Sequence, residues 1–289
     1  MLIANPLFDS AFKFLMKDLK VARYFLSVLL NREIEIEGFE ATEDDLINQS
    51  RETGFSTQRM DFHATLIEEN GIKRKVLIEL QKSPTLTDIS RFRRYLAKAY
   101  YDTDTLPKNA EHNEIISIYI LGFKLNTPVA VVKTSTKLID ASTQELLDAN
   151  TDDDTFMRKL HHESIFIDTT KLTHKMQNRV DRLLAVFNQD YITDNKYSLD
   201  IPLDNFPKID EELCLLNRLN YALLDKELRH ELSVQAEYQL VVENSQKQAQ
   251  YEGETKAKIE IAKSMKNEGD SIEKISRITG LTQEQIDKL

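Results

Sequence analysis

The chain has 289 residues and a formal net charge of -10; 41% of its residues are hydrophobic, 30% are charged, and only 7 are glycine and 6 proline. This composition excludes disordered, collagen-like and low-complexity proteins and favours a folded protein with much helix. A single cysteine excludes an intrachain disulfide and a cysteine-based zinc site, as expected of a cytoplasmic protein. No apolar run approaches the roughly 20 residues of a membrane-spanning helix, and the N-terminus lacks a secretory signal pattern, so no membrane association is expected.

The N-terminal segment predicts a helix and then a strand. Apolar residues at helical spacing, from Phe12 to Leu29, predict a helix from about Asp9 to Leu30 that is broken near Leu19. Asp9 is placed to cap its start. The following stretch REIEIEGF alternates in the manner of a short strand.

The sequence MDFHATLIEENGIKRKVLIELQK, residues 60–82, predicts two strands that form a β-hairpin. If the turn is the three-residue loop Glu69-Asn70-Gly71, Phe62 lies opposite Ile78 and Ala64 lies opposite Val76. One face of the hairpin is then wholly apolar and can face the core.

The same register places Asp61 directly opposite Glu79 on the other face, away from the core, with Gln81 two residues further along that face. Adjacent carboxylates repel each other and destabilise a sheet, but a divalent cation between them makes the pairing favourable. Mg²⁺ suits this position because it takes oxygen ligands, and the backbone carbonyl of Leu80 is a candidate third ligand. The alternative is a surface location, where lysines such as Lys75 neutralise two solvent-exposed acids.

Positive charge is concentrated after the hairpin. Pro84 ends the second strand, and a helix is predicted through Tyr101. Four residues of this helix recur at i, i+3, i+4 and i+7 and form one stripe, which consists of Arg91, Arg94, Tyr95 and Lys98. Together with Lys82, this stripe is a candidate surface for contacting DNA phosphates, and a solvated helix face is the alternative.

Further strands and one helix are predicted in the middle of the chain. Three β-rich runs, at 114–123, 128–135 and 164–168, predict strands of the same sheet. The stretch NRVDRLLAVFNQ predicts a helix, and residues 192–208, with two prolines, predict a connector.

The C-terminal part is predicted to be helical. A proline-free stretch from Asp210 to about Asn267 predicts a long helix or a helical pair, whose second half is expected to project into solvent or to pair with another copy. Two short helices are predicted around Gly280, with Thr282 and Gln285 at capping-box spacing. The sequence therefore divides into a domain at 1–208, a coiled-coil-like helical extension at 209–267 and a helix-turn-helix-like tail at 268–289.

Four motifs, in this order, resemble the PD-(D/E)xK nuclease-family transposases, which are related to the recombination-promoting nucleases of bacteria. They are NPLFDSAFKFLM at the start, RMDFHATL with Asp61, VLIELQK with Glu79 and Gln81, and SRFRRYLAKAY, which is similar to the family's Arg-x-x-x-Tyr-x-x-Lys-x-Tyr helix. The tail ITGLTQEQIDKL also resembles tails found in that family, so the resemblance covers nearly the whole chain.

This resemblance implies an α/β (α+β) fold with a restriction-endonuclease-like mixed sheet flanked by helices, and DNA cleavage that depends on Mg²⁺ or Mn²⁺. At matching positions it implies that Asp61 and Glu79 bind the metal and that Gln81 occupies the place of the motif lysine. Lysine supplies positive charge to the attacking water, whereas glutamine can only hydrogen-bond, so Lys98 or Lys75 is a candidate for that charge.

Three other residues are possible accessories to this site. The resemblance implies that the N-terminal helix brings the acidic group of Asp9 to the metal, near Lys13. The alternative for these two residues is an i,i+4 ion pair on the surface. His63 points to the face of the paired acids in the predicted register.

Two functions remain open. The first is a Mg²⁺-dependent DNA endonuclease that serves recombination or transposition-related DNA processing. The second is a catalytically degenerate, nuclease-like protein that binds DNA or forms a homo-oligomeric assembly through the C-terminal helix. Gln81 and the acidic net charge favour the second.

Overall fold

The computed structural model describes residues 1–42, 61–67, 73–81, 114–134, 139–146, 162–203 and 209–289, together with 89, 90, 92, 93, 96, 97 and 100. Only the backbone is described for 37–42, 61–63, 73–75, 81, 114 and 246. The chain forms two compact units, Met1–Ser233 and Val234–Leu289.

The first unit contains a six-stranded mixed sheet with helices, in agreement with the predicted α/β class. The strands lie in the order β2-β3-β4-β5-β7-β6, and their bounds are β2 Glu35–Thr42, β3 Asp61–Ile67, β4 Lys73–Gln81, β5 Glu114–Leu121, β6 Val131–Thr134 and β7 Glu163–Asp168. The pairs β4-β5 and β5-β7 are parallel, and the other pairs are antiparallel. All three β-rich runs predicted after the hairpin are therefore strands of this sheet.

The chain between β4 and β5 is helical at each described position from 89 to 100. A parallel strand pair needs such a crossover, because the chain must return to the same end of the sheet.

Two helices, α1 Asp9–Met16 and α2 Leu19–Leu30, confirm the predicted N-terminal helix and its break. The break follows from the carboxylate of Asp18, which accepts hydrogen bonds from the backbone N–H of Lys20 and of Val21 and so caps α2. The predicted cap at Asp9 is wrong: Asp9 is the first helical residue, and Phe8 takes the cap position without a side-chain hydrogen bond.

Two three-residue strands were not predicted from the sequence. Strand β1, Leu2–Ala4, pairs with β8, Ser198–Asp200, in an antiparallel two-stranded sheet. Strand β8 lies inside the stretch 192–208, which was predicted to be only a connector.

The remaining helices are α3 Arg179–Leu184, α4 Asp210–Leu224, α5 Lys226–Asn267, α6 Ile272–Thr279 and α7 Gln283–Asp287. Of the two alternatives predicted after Asp210, a long helix or a helical pair, the structure has the pair, with its break at Asp225. In the first unit, fully buried rings from α1, α2 and the turn after α3 form the centre of the helical core, with centroids of Phe12, Phe25 and Phe187 5.9 to 6.3 Å apart.

The second unit has a small core of its own. Ala262, Ile275, Leu281 and Ile286 are buried together where α6 and α7 pack against the end of α5. Gly280 ends α6 in the left-handed conformation, with φ 71°, and the predicted capping box of Thr282 and Gln285 is present. None of the helices among the described residues combines the length and apolar content that a bilayer crossing requires.

Candidate active site at the β3-β4 hairpin

The register of the hairpin is the one that the sequence predicts. Asp61 lies opposite Glu79, Phe62 opposite Ile78 and Ala64 opposite Val76. The turn residues Glu69, Asn70 and Gly71 are outside the described part of the chain. The pairing is the one that a three-residue turn requires and that a two-residue turn would shift.

One face of the hairpin is part of the core, as predicted. Ala64, Val76 and Ile78 are all fully buried. Their neighbours on β5, Ile116 and Ile118, are fully buried too. This face therefore packs as the alternating pattern requires.

The predicted position of Glu79 away from the core is wrong, because the second face of the sheet is also covered. Glu79 is 0% exposed. The helical segment after β4 packs on this face: Leu96 contacts the cluster of Leu77 and Ile115, and the ring of Phe92 lies 4.6 Å from that of Tyr119. The alternative interpretation, in which both acids lie on the solvent-exposed surface, is therefore excluded for Glu79.

Glu79 has Tyr119 of the parallel strand β5 directly beside it. The Tyr119 ring is stacked on Phe166 of β7, with centroids 4.7 Å apart and planes within 3°. Burial, and to a smaller extent the negative charge of Glu79, raise the pKa of Tyr119 to about 12, against a hydrogen bond with Ser117 that lowers it. The phenol therefore stays protonated and neutral at physiological pH beside the glutamate.

Leu80 and Gln81 complete β4 at the carboxyl ends of the parallel strands. Leu80 is partly exposed and lies opposite Ile120, and Gln81 lies opposite Leu121. Gln81 is two residues beyond Glu79, about 7 Å along the strand and on the same face. The backbone register thus places Glu79 and Gln81, the two residues that the resemblance assigns to one motif, at the carboxyl end of β4.

Several predicted site residues are described only in part or not at all. The backbones of His63 and Lys75 lie on β3 and β4, opposite Leu77 and Thr65 respectively. The predicted DNA-contacting or charge-supplying residues outside the described part of the chain are Lys82, Arg91, Arg94, Tyr95 and Lys98.

Asp9 and Lys13 form the i,i+4 ion pair that was the alternative reading of these residues. The Lys13 Nζ atom lies 3.4 Å from the Asp9 Oδ2 atom, and both side chains are mostly buried, with 23% and 18% exposure. The ion pair is thus less exposed than the surface pair that the spacing predicted.

An acid that the sequence analysis missed lies two strands from Glu79. Asp168, at the end of β7, is 0% exposed and lies opposite Leu121. Its carboxylate accepts hydrogen bonds from the backbone N–H of Leu125 and from both the N–H and the hydroxyl of Thr170, and it lies 3.0 Å from the Lys171 ammonium. The sequence IDTTK could have indicated this role of Asp168, since an aspartate followed two residues later by threonine is typical of a local cap.

The paired acids fit a magnesium ion by the chemistry of their donors. The carboxylates of Asp61 and Glu79 and the carbonyl of Leu80 are hard oxygen ligands, which Mg²⁺ prefers to nitrogen or sulfur. No group of three His, Cys, Asp or Glu side chains that could hold a metal occurs among the described residues, which do not include the Asp61 side chain.

Comparison with models of protein families, with curated proteins and with solved structures finds no match to this chain.

Proposed function

We propose that the chain is a Mg²⁺-dependent DNA endonuclease of the PD-(D/E)xK type, which hydrolyses phosphodiester bonds in recombination or transposition-related DNA processing. The observation that carries this proposal is the pairing of Asp61 with a fully buried Glu79. A buried carboxylate next to a second acid is unfavourable in a bare sheet, and a divalent cation offsets both the desolvation and the repulsion. The six-stranded mixed sheet supports the proposal at the level of fold class, because the sequence resemblance implies a mixed sheet.

Asp61, Glu79 and the carbonyl of Leu80 would hold the metal. When bound, Mg²⁺ supplies water activation and charge stabilisation on the phosphodiester. Burial of Glu79 strengthens its attraction for a cation, because the effective dielectric constant is lower than in water. Gln81 would hydrogen-bond to the attacking water and orient it.

The positive charge that Gln81 lacks is better supplied by Lys98 than by Lys75. Lys75 is four residues before Glu79, about 13 Å along β4, with the buried Leu77 between them. Lys98 belongs to the segment whose residues Phe92 and Leu96 pack on the face of Glu79. Because the described residues Phe92 and Leu96 lie on the face of Glu79, we favour this segment as the source of the charge.

The same crossover segment would contact DNA. Its four-residue stripe and Lys82 supply cations and an aromatic ring for phosphate and sugar contacts. In the sequence these residues follow the strand that carries Glu79, which supports a role for them in DNA contact beside the paired acids. Phosphate contacts of this kind position the duplex but do not read its sequence.

Cleavage of supercoiled plasmid tests this function. With Mg²⁺ or Mn²⁺ the wild-type chain is expected to nick or linearise the plasmid, and Asp61→Ala is expected to leave it intact. Glu211→Ala is the matched control, since Glu211 is an exposed acid of the same unit. Intact plasmid with the wild-type chain, or equal cleavage by Asp61→Ala, would contradict the proposal.

A second candidate is the degenerate, nuclease-like assembly protein, with oligomerisation through α5. It is favoured by Gln81 and by apolar side chains on the second unit, where Val234 is 50% and Val241 is 62% exposed. These two residues are seven positions apart and therefore lie on one side of the helix. Sedimentation of the full chain is expected to show an oligomer that the double variant Val234→Lys, Val241→Lys dissociates. A monomeric wild-type chain would contradict this candidate.

A further inference from the structure

A cavity of about 450 Å³ lies between the end of α2 and the start of α3. Residues 31–33, which follow α2, and 178–180, which begin α3, form most of its walls. Its volume is within the range of small-molecule sites in proteins. None of the described residues of the β3-β4 hairpin lines this cavity.

One cation of this cavity, Arg179, contacts an aromatic ring of the helical core. The guanidinium carbon of Arg179 lies 5.9 Å from the centroid of the Tyr24 ring, a cation-π distance. The Tyr24 hydroxyl donates a hydrogen bond of 3.0 Å to Glu212, and the Arg182 Nε atom donates one of 2.8 Å to the same carboxylate oxygen. Glu212 is 1% exposed. The Tyr24 ring that Arg179 contacts is therefore anchored by a buried ion pair, while Arg179 itself is exposed and accessible to a ligand.

A second guanidinium comes from a different segment. The Nη2 atom of Arg32 lies 3.7 Å from Glu163 Oε2 at the start of β7, and Lys133 Nζ lies 2.9 Å from the same oxygen. The charged residues of the lining are two arginines, Arg32 and Arg179, and one acid, Glu33, which give the lining a formal charge of +1. Val28 and Val180 add an apolar wall.

We propose that this cavity binds a small organic oxyanion, whose phosphate or carboxylate group lies between Arg32 and Arg179 and whose apolar part contacts Val28 and Val180. Guanidinium groups suit this role because their planar N–H pairs match the two oxygens of a carboxylate or phosphate. The carboxamide of Asn31 would supply a further hydrogen bond to the ligand. The carboxamide of Asn178 is already bonded at both ends, because its oxygen accepts from the backbone N–H of Asp181 and its nitrogen donates to the Asp181 carboxylate. This site is independent of the proposed nuclease activity.

Calorimetric titration of the full chain tests the site with three probes: adenosine monophosphate, citrate and adenosine. Adenosine monophosphate or citrate is expected to bind, and uncharged adenosine is not. Arg179→Ala is expected to weaken the binding at least about tenfold, which is the effect of losing one charge-assisted contact. Arg179→Lys keeps the charge but not the planar donors and is expected to bind with intermediate affinity.

Lys175→Ala is the matched control, because Lys175 is an exposed cation close in sequence that does not line the cavity. It is expected to bind like the wild-type chain. Binding of adenosine monophosphate alone assigns a phosphate ligand, and binding of citrate alone assigns a carboxylate. Absence of binding with both anions, equal binding of adenosine, or unchanged affinity in Arg179→Ala would overturn the proposal.

Discussion

Two buried glutamates in the first unit differ in what surrounds them. Glu212 of α4 is 1% exposed and lies 2.8 Å from the Arg182 Nε atom, with the Tyr24 hydroxyl as a second donor at 3.0 Å. Glu79 of β4 is 0% exposed and has an acid, Asp61, opposite it in the antiparallel register. Glu212 therefore has a cation that offsets the cost of its burial, whereas the residue opposite Glu79 in the strand register is a second acid.

The two sites also share one feature, a tyrosine beside the acid. Burial raises the pKa of both Tyr24 and Tyr119 to about 12, and in each case the charge of the neighbouring glutamate contributes. A second neighbour distinguishes the two sites: it is Arg182 at Glu212 and Asp61, in the strand register, at Glu79. Glu212 links three helices and contributes to stability, whereas Glu79 would bind a cation under the proposed function, at the expense of stability.

The largest expected effect is on DNA cleavage by Glu79→Gln. The amide keeps the shape of the side chain but removes a charge from the paired acids, so cleavage is expected to fall by roughly 100-fold or more. The free energy of unfolding is expected to stay within about 1 kcal/mol of wild type or to rise, since a repulsion is removed. Plasmid cleavage and urea unfolding measure the two quantities. If the folded variant cleaves DNA at the wild-type rate, Glu79 is not part of the active site.

The same substitution at the other acid, Glu212→Gln, is expected to act in the opposite way. It removes the charge that Arg182 and Tyr24 contact, so the free energy of unfolding should fall by about 2–3 kcal/mol. Cleavage per folded molecule should not change. Glu211→Gln, the exposed neighbour, is the control and should stay within about 0.5 kcal/mol of wild type. Equal stability of the two variants would show that the ion pair contributes nothing.

Asp168 is a third buried acid, and its contribution to the free energy of unfolding can be tested by changing the pH. Burial alone would raise the pKa of Asp168, but the donors of Leu125, Thr170 and Lys171 outweigh it and hold the pKa below its ordinary value. Its stabilisation is therefore present above about pH 4, the unfolded value, and is lost as the pH falls through the lower folded value. Asp168→Asn is expected to lower the free energy of unfolding by about 2 kcal/mol at pH 7.

Urea unfolding of the wild-type chain and Asp168→Asn at pH 7 and pH 3 measures this dependence. The difference between the two proteins should shrink at pH 3. A difference that is constant over this range would mean that the charge of Asp168 does not contribute.

The smallest expected effect concerns the hydroxyl of Tyr24. Tyr24→Phe removes one donor to Glu212 but leaves the Arg182 contact, so the free energy of unfolding should fall by about 1 kcal/mol. In the wild-type chain, stability should also decline between pH 10 and 12, because the unfolded chain ionises its tyrosines before the folded one does. Absorbance titration at alkaline pH detects this ionisation. An ordinary pKa for Tyr24 would contradict its burial beside Glu212.

The local features of the hairpin could be predicted from the sequence. The spacing of Asn70 and Gly71 and the alternation on each side were sufficient for the register of Asp61 and Glu79, because turn length determines strand pairing. The capping box of the tail is another local pattern, and it was also predicted correctly.

Burial of Glu79 depends on contacts between residues that are distant in sequence. It requires the crossover segment to return over the sheet and place Leu96 on Leu77. One signal was available: Val76 to Ile78 and Leu80 form a nearly continuous apolar run, which is typical of a strand that is buried on both faces. For Glu212 the signal was its position on the stripe of Leu215, Leu216 and Leu219 at helical spacing, where an acid indicates a buried partner.

The pairing of β1 with β8 has a consequence for synthesis of the chain on the ribosome. The β3-β4 hairpin joins neighbouring segments, but Leu2–Ala4 has no strand partner until Ser198–Asp200 has been made. At a synthesis rate of roughly 5–20 residues per second, this interval is on the order of 10–40 s. Ile3 and Ala4, fully buried in the folded protein, therefore lack the β8 strand beside them throughout this interval.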